Sequence, residues 1–232
     1  MTALQRLLPS LNRADATAPR VTFYDDATGE RIELSAKVLS NWAAKAANAL
    51  VEEFDAALGT TVGLVLPLHW RAFYWALAAW DLGATVVIGP GADDADVVVT
   101  DDAAVASEAV EEGRYAVLVT LAALARSRPD TPSGAMDEAR ELATFGDVFV
   151  GDPADDDDIA MVTGARDTAY REVVDPHAFE PGARVRVPAE LGAALRCAVS
   201  VWSRDGSVVI IRNAVGDQAS RLAAERVTLD LS

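Results

Sequence analysis

Apolar positions along the chain change period several times, and each change marks an element. Val21 to Asp26 alternates apolar and polar residues, Ala27-Thr28-Gly29 turns, and Glu30 to Leu34 alternates back, which predicts a hairpin. Ser35 then reads as an N-cap, and Leu39, Trp42, Ala43, Ala46 and Leu50 recur at helical spacing as far as Phe54. Thr61 to Leu66 is a continuous apolar run, as expected of a strand covered on both faces, and Pro67 ends it. His69 to Leu82 reads as a helix with a wide aromatic stripe (Trp70, Phe73, Tyr74, Trp80), closed by Gly83. Strands follow at Ala84–Ile88, Asp96–Thr100 and Tyr115–Thr120, with a helix from Asp102 to Glu112 between the last two.

The second half is less regular. Arg126 to Gly134 is rich in Pro, Ser and Gly and reads as a surface connection. A short helix at Met136–Ala143 leads into the extended stretch Asp147–Val150, and Ile159–Thr163 is a strand after an acidic run. An irregular segment follows. Then come a strand at Arg184–Val187, a helix at Ala189–Trp202, a turn at Asp205-Gly206 and a strand at Ser207–Arg212. Asp217 caps a last helix, and Arg226–Leu231 forms a final strand. Strands alternating with helices of this length predict an α/β fold with mostly parallel strands, in three sheet-and-helix layers. The N-terminal apolar stretch, Met1 to Leu11, is broken by Arg6 and Pro9 and is too short for a secretory leader.

Composition narrows the function classes. The 232 residues carry 20 basic and 36 acidic side chains, a net charge of −16, and 51% are hydrophobic. Such a chain can bury a core and is not disordered. A surface this negative repels a phosphate backbone, so nucleic acid is not an expected partner. No apolar run approaches the ~18 residues that cross a bilayer, so no membrane partner is expected. Cys197 is the only cysteine, which excludes a disulfide scaffold and fits a soluble, cytoplasmic protein. Only two of the twenty basic residues are lysines, Lys37 and Lys45.

Candidate chemistry is sparse. His69 opens a helix and reads as a packing or helix-start residue rather than a base; His177 lies in a turn-like Asp175-Pro176-His177. Two isolated histidines and one cysteine lack zinc-ligand spacing, and Cys197 falls on an apolar helix face. Asp155 to Asp158 lacks the ligand spacing of a calcium loop and reads as a solvated acidic loop. Gly89-Pro90-Gly91 follows a strand, where a phosphate loop would sit. Asp93, Asp94 and Asp96 come next, however, and no glycine-rich nucleotide signature or GxSxG elbow is completed.

The order of these features resembles the N-terminal region of the adenylate-forming superfamily, the AMP-binding, acyl-CoA synthetase-like proteins. The matching text is ERIELSAKVLSNWAAKAANAL, then TVGLVLPLHWRAFYWALAAWDLGATVVI, then ADVVVTDD, and toward the end RDGSVVIIRNAVGDQASRLAAERVT. The likeness is closest to a short actinobacterial group that lacks the ATP loop and the C-terminal domain. It implies the α/β fold of the first part of an acyl-CoA synthetase, as one domain over 1–232 or as lobes 1–150 and 151–232.

In that superfamily the strand corresponding to IAMVT runs into a phosphate loop written YTSGTTGxPKG. Here the text is VTGARDTAYREVVDPH. Laid on the loop without gaps, Thr163 is retained, Arg171 falls at the lysine and His177 at a frequent histidine. These three are the cofactor-binding candidates; no catalytic residue and no metal ligand is assigned. Ala165, Thr168 and Glu172 replace loop glycines, and Asp167 and Glu172 add carboxylates where phosphate would bind. The resemblance therefore implies a non-catalytic or degenerate relative, a binding or regulatory module with no cofactor. The alternative is a partial acyl- or carboxylate-activating enzyme, using ATP or AMP and completed by a partner chain or a homo-oligomer. A partner protein or a second copy is expected to cover the face that the family's later parts would occupy.

Overall fold

The computed structural model describes residues 1–164 and 166–232. The alternation at the start of the chain becomes β1 (Pro19–Asp25) and β2 (Glu30–Ser35), an antiparallel pair in which Phe23 faces Ile32. Ser35 caps α2 (Ala36–Phe54) by accepting the Val38 N–H at 3.3 Å, and Asp55 ends the helix in the left-handed region. Ahead of the hairpin lies α1 (Leu7–Asp15), where the sequence predicted only a broken apolar stretch. Pro9 sits in its first turn, where a backbone N–H has no helical partner to lose, and Leu4, Leu7, Leu8 and Leu11 are buried.

Next come β3 (Thr61–Val65), α3 (Trp70–Leu82), β4 (Thr85–Ile88), β5 (Val97–Thr100), α4 (Ala103–Glu111) and β6 (Tyr115–Leu118). Gly83 closes α3 at φ 89°. The expected helix near residue 136 is divided into a two-residue strand, β7 (Met136–Asp137), the short α5 (Glu138–Glu141) and a single 3-10 turn. The stretch 147–150 joins no ladder. The chain continues through β8 (Ile159–Thr163), β9 (Arg166–Ala169), α6 (Tyr170–Val173), β10 (Arg184–Arg186), α7 (Leu191–Trp202), β11 (Ser207–Arg212), α8 (Ala219–Ala224) and β12 (Leu229–Asp230). The segment expected to be irregular thus contains β9 and α6.

The strands divide between two sheets. One has the order β12-β10-β11-β1-β2, parallel except for the β1–β2 hairpin; the other runs β7-β6-β5-β3-β4-β8-β9, parallel except for β8–β9. A single large core joins both sheets to α2, α3 and α7, and it includes residues from either side of position 150. At its centre α3 is buried all round, with Phe73 edge-on to Trp202 of α7 and Trp42 of α2 stacked on Tyr74. A smaller cluster under α4 covers the opposite face of the larger sheet.

Two features set the carboxyl edge of that sheet. The chain leaves β3 toward β4 on one side and leaves β5 toward β6 on the other, so the order reverses between β3 and β5. In open parallel sheets the crevice at such a reversal is where ligands bind. The link from β4 to β5 recrosses β3 in eight residues without a helix. Gly63 makes this possible, because a Cβ there would stand 1.7 Å from the carbonyl oxygen of Ala92.

Candidate functional site

The crevice between β3 and β5 is sealed by polar side chains from distant parts of the chain. His69 is the N-cap of α3; its Nδ1 accepts the Arg71 N–H at 3.2 Å, and its ring stands edge-on to Phe23 with centroids 4.6 Å apart. Burial pushes the imidazole down to about 3, and Arg71 and Arg212 add to the effect. It is a neutral cap, in keeping with the helix-start role expected of it.

Arg71, the second residue of α3, lies over the ring of Trp70 and 3.2 Å from the buried Glu138 carboxylate. The Tyr74 hydroxyl and the Trp75 indole N–H both donate to Glu138, and Arg71 also donates to Tyr74 Oη at 3.2 Å and to the Ala122 carbonyl at 3.3 Å. Burial raises Glu138 and Tyr74 above their ordinary values, while the Arg71 cation pulls both back. At the rim, burial raises the half-buried Asp101 against nearby Arg212 and Arg128. Glu30 accepts the Ala123 N–H at 2.9 Å, closing the smaller sheet onto the loop after β6. This arrangement braces two sheets.

The second half of the edge lies outside β4 and β8. Ile88 pairs with Thr163 across these strands, beside an apolar depression of about 400 Å³ lined by Leu64, Leu66, Ile88, Gly89 and Ala92. Gly89 and Gly91 both have positive φ, and the Ala92 and Asp94 N–H groups return to their carbonyls in successive turns. Those amides are consumed inside the loop and are not free to hold an anion.

Thr163 ends β8 and pairs directly with Arg166 of β9, so only two residues, Gly164 and Ala165, separate the strands. The position expected at Ala165 lies outside the described residues. The methyl of Thr163 lies against Gly192, where a Cβ would stand 2.8 Å away. The adjoining α7 N-terminus is already capped: the Glu190 carboxylate accepts the Gly192 and Ala193 N–H groups at 2.8 and 2.6 Å.

Arg171 and His177 are elsewhere. Arg171 follows β9, beyond the Ile159 end of β8; its N–H donates to the Asp156 carbonyl at 3.1 Å and its guanidinium pairs with Asp157. The length of β8, about 13 Å at a strand's rise, lies between it and Thr163. Tyr170 holds this end in place by donating to the carbonyl of Ala84, just before β4. His177 is exposed in a turn, its N–H on Asp175 Oδ1 at 2.8 Å, and Asp175 is tied to Ser200 near the C-terminal end of α7. The structure does not bring the three candidates together.

Of the replaced loop positions, Thr168 is buried in β9 opposite Met161, while Asp167 and Glu172 are exposed. The cation paired with Thr163 across the strands is Arg166, which a gapless reading overlooks because it cannot register that β9 begins two residues after β8 ends. The Arg71–Glu138 pair also escapes sequence reasoning, since nothing local links two residues so far apart. Among the described residues no group of three or more His, Cys, Asp and Glu is placed to hold a metal ion. Cys197 is buried, its thiol pushed up to about 12.

No protein-family model matches the chain. It is 40% identical over 149 residues to a TIGR03089 family protein of Mycobacterium tuberculosis, a match covering 62% of this chain and 60% of that protein. Among solved structures it superposes on the N-terminal domain of FACL13 from M. tuberculosis (TM-score 0.73, 15% identity, 99% of this chain and 62% of that one). It also superposes on an acyl-CoA synthetase of Brucella canis (TM-score 0.76, 15% identity, 99% and 47%). A fatty acyl CoA synthetase of M. tuberculosis is comparable (TM-score 0.73, 14% identity, 98% and 48%). The class is therefore defined by fold: this is the α/β architecture of the N-terminal domain of acyl-CoA synthetases, as the resemblance implied. The chain spans between 47% and 62% of the length of these proteins.

Proposed function

We propose that this protein is a non-catalytic binding or regulatory module on the acyl-CoA synthetase N-terminal scaffold, and that it does not hold ATP through the loop after β8. The observation that supports this reading is the pairing of Thr163 with Arg166 across two residues. A phosphate cradle needs a run of backbone N–H groups converging on one point, with glycines that let the chain curl around the anion. With Thr163 and Arg166 paired, the two residues between them are too few to supply such a run, and the flanking residues belong to the β8–β9 ladder. Two further features agree. The α7 N-terminus carries its own carboxylate, Glu190, and the crevice histidine is buried and neutral. The reading places the protein in the cytoplasm, in line with one buried cysteine and with no described helix long and apolar enough to cross a membrane.

Thermal denaturation with ATP·Mg²⁺, AMP and CoA tests the proposal. A ligand that binds only the native state stabilises it by about 2.7 kcal/mol at a hundred times its dissociation constant, a shift that is easily read. The expected result is an unchanged midpoint with all three. A saturable rise with ATP or AMP overturns the reading, as does pyrophosphate exchange above background with any of a panel of carboxylic acids. Exchange would favour the partial acyl-activating enzyme instead.

A further inference from the structure

From Asn213 to Ser232 not one side chain is buried, although this last segment holds α8, β12 and the connections around them. Immediately before it, Val208, Val209 and Ile210 of β11 are fully enclosed. Ordering a stretch of backbone costs conformational entropy, which buried apolar side chains normally offset. Here the attachment rests on charged side chains and on backbone hydrogen bonds to β10.

The segment meets the face of the smaller sheet that turns away from the main core. Val208 and Ile210 belong to that core, so Val209 points the other way, and ladder pairing sets Thr22 and Arg186 beside it. Two residues along, Tyr24 pairs with Arg31 on the same face, and Arg184 donates to Thr22 Oγ1 at 2.9 Å. Three arginines thus stand together on a chain whose net charge is −16. Glu225, the C-cap of α8, accepts hydrogen bonds from the Tyr24 hydroxyl, from Arg184 and, at 3.2 Å, from Arg31. Burial pushes its carboxyl up, but those hydrogen bonds outweigh burial and hold it below the ordinary value. Four residues earlier, Arg221 pairs with Asp26 at 2.7 Å and lies over the Tyr24 ring, 4.6 Å from its centroid. Asp230 of β12 pairs with Arg186 at 3.3 Å. The Thr228 and Leu231 N–H groups donate to the Arg184 and Arg186 carbonyls at 2.8 and 3.0 Å.

We propose that residues 213–232 form a strap that charge holds on the smaller sheet, and that raised ionic strength releases it as a unit while the two-sheet core stays folded. Exposed and half-buried ion pairs weaken as the screening length shortens, whereas buried apolar contacts do not. One such pair is worth little, but Arg221, Glu225 and Asp230 are screened together, and no enclosed side chain of the strap remains to hold it. Segments of this kind open locally, at a free energy well below that of global unfolding. Release frees Arg31, Arg184 and Arg186 and uncovers the sheet face on which they stand. The strap belongs to the smaller sheet, so this proposal and the reading of the loop after β8 can fail separately.

Hydrogen exchange on the intact chain tests it, in sodium chloride at about 0.01 M, where charges interact over ~30 Å, and at about 1 M, where they reach only ~3 Å. Protection of the Val227, Thr228 and Leu231 amides is expected to fall about tenfold or more across that range, while Val208 to Ile210 of β11 and the amides of α3 keep theirs. Glu225→Gln, which removes one charge and keeps the shape, should show the loss already at low salt. Should that variant fold poorly, the parent at the two salt concentrations decides. Strap protection that does not change with salt overturns the proposal, because burial or backbone pairing then holds the segment. Equal loss in β11 also overturns it, since the strap would then open only with its sheet. So does a Glu225→Gln strap as well protected at low salt as the parent's.

Discussion

Glu138 is fully enclosed, and three groups of α3 converge on it: the Arg71 cation, the Tyr74 hydroxyl and the Trp75 indole. Removing one partner of a buried ion pair leaves an uncompensated charge, which costs about 3–5 kcal/mol, whereas replacing both by apolar groups is often neutral. Glu138→Ala is therefore expected to lower stability by that amount in urea unfolding. Adding Arg71→Met to it should recover most of the loss. A double variant no more stable than Glu138→Ala would mean that the pair does not act as a unit. Sequence reasoning recovered the local half of this cluster, the helix and its aromatic stripe. It missed Glu138, because a carboxylate becomes a partner for Arg71 only when β7 has been laid beside β6.

At the scale of elements, the tight β4–β5 link shows how one residue permits a topology. Gly63 has no Cβ, and the carbonyl of Ala92 occupies the place where one would be. Gly63→Ala must displace the link or bend β3, an overpacking that costs about 1–3 kcal/mol. Gly91 gives a contrast within the same link. A Cβ there meets nothing within 4 Å, but φ is 86°, so Gly91→Ala should carry only the left-handed penalty of about 1–2 kcal/mol. Denaturant midpoints of the two variants, together with the peak shifts of Val97 and Val98, separate the effects: only Gly63→Ala should disturb β5. Most elements were legible from hydrophobic period and caps, including α2, α3 and the strands of the parallel core. The exceptions have physical reasons. Pro9 masked α1 although a first turn tolerates it, and β9 is a four-residue edge strand whose pattern is too short to announce a period.

For the whole molecule, two groups shifted by burial make stability depend on pH in opposite senses. The His69 pKa falls from 6.5 to about 3 on folding, so between those values the unfolded chain binds more protons and stability drops as pH falls. The contribution is fully present above 6.5. The Asp81 pKa rises from 3.8 to about 6, so the folded chain binds more protons in that window. Its contribution is present below 3.8 and lost as pH rises through 6. Asp81→Asn is expected to raise stability at pH 7 by roughly 1–3 kcal/mol and to change little at pH 4, while His69→Asn, which keeps a capping side chain, should flatten the acid limb. Melting curves from pH 3 to 8 check both signs. A gain from Asp81→Asn that is larger at pH 4 than at pH 7 would contradict the assignment.

Hydrophobic period, cap residues and turn chemistry act over a few neighbours, so they were enough to establish an α/β chain and the order of most of its elements, and that order with its matching text carried the resemblance to the first part of acyl-CoA synthetases. They also located the altered segment after IAMVT. Pairing across space is not encoded in any short window. The division into two sheets, the pairing of Arg166 with Thr163, the placing of Thr163, Arg171 and His177 on different elements, and the burial that shifts Asp81 all depend on the folded structure. Residues far apart in sequence had to be brought together before their charges, amides and cavities could be read.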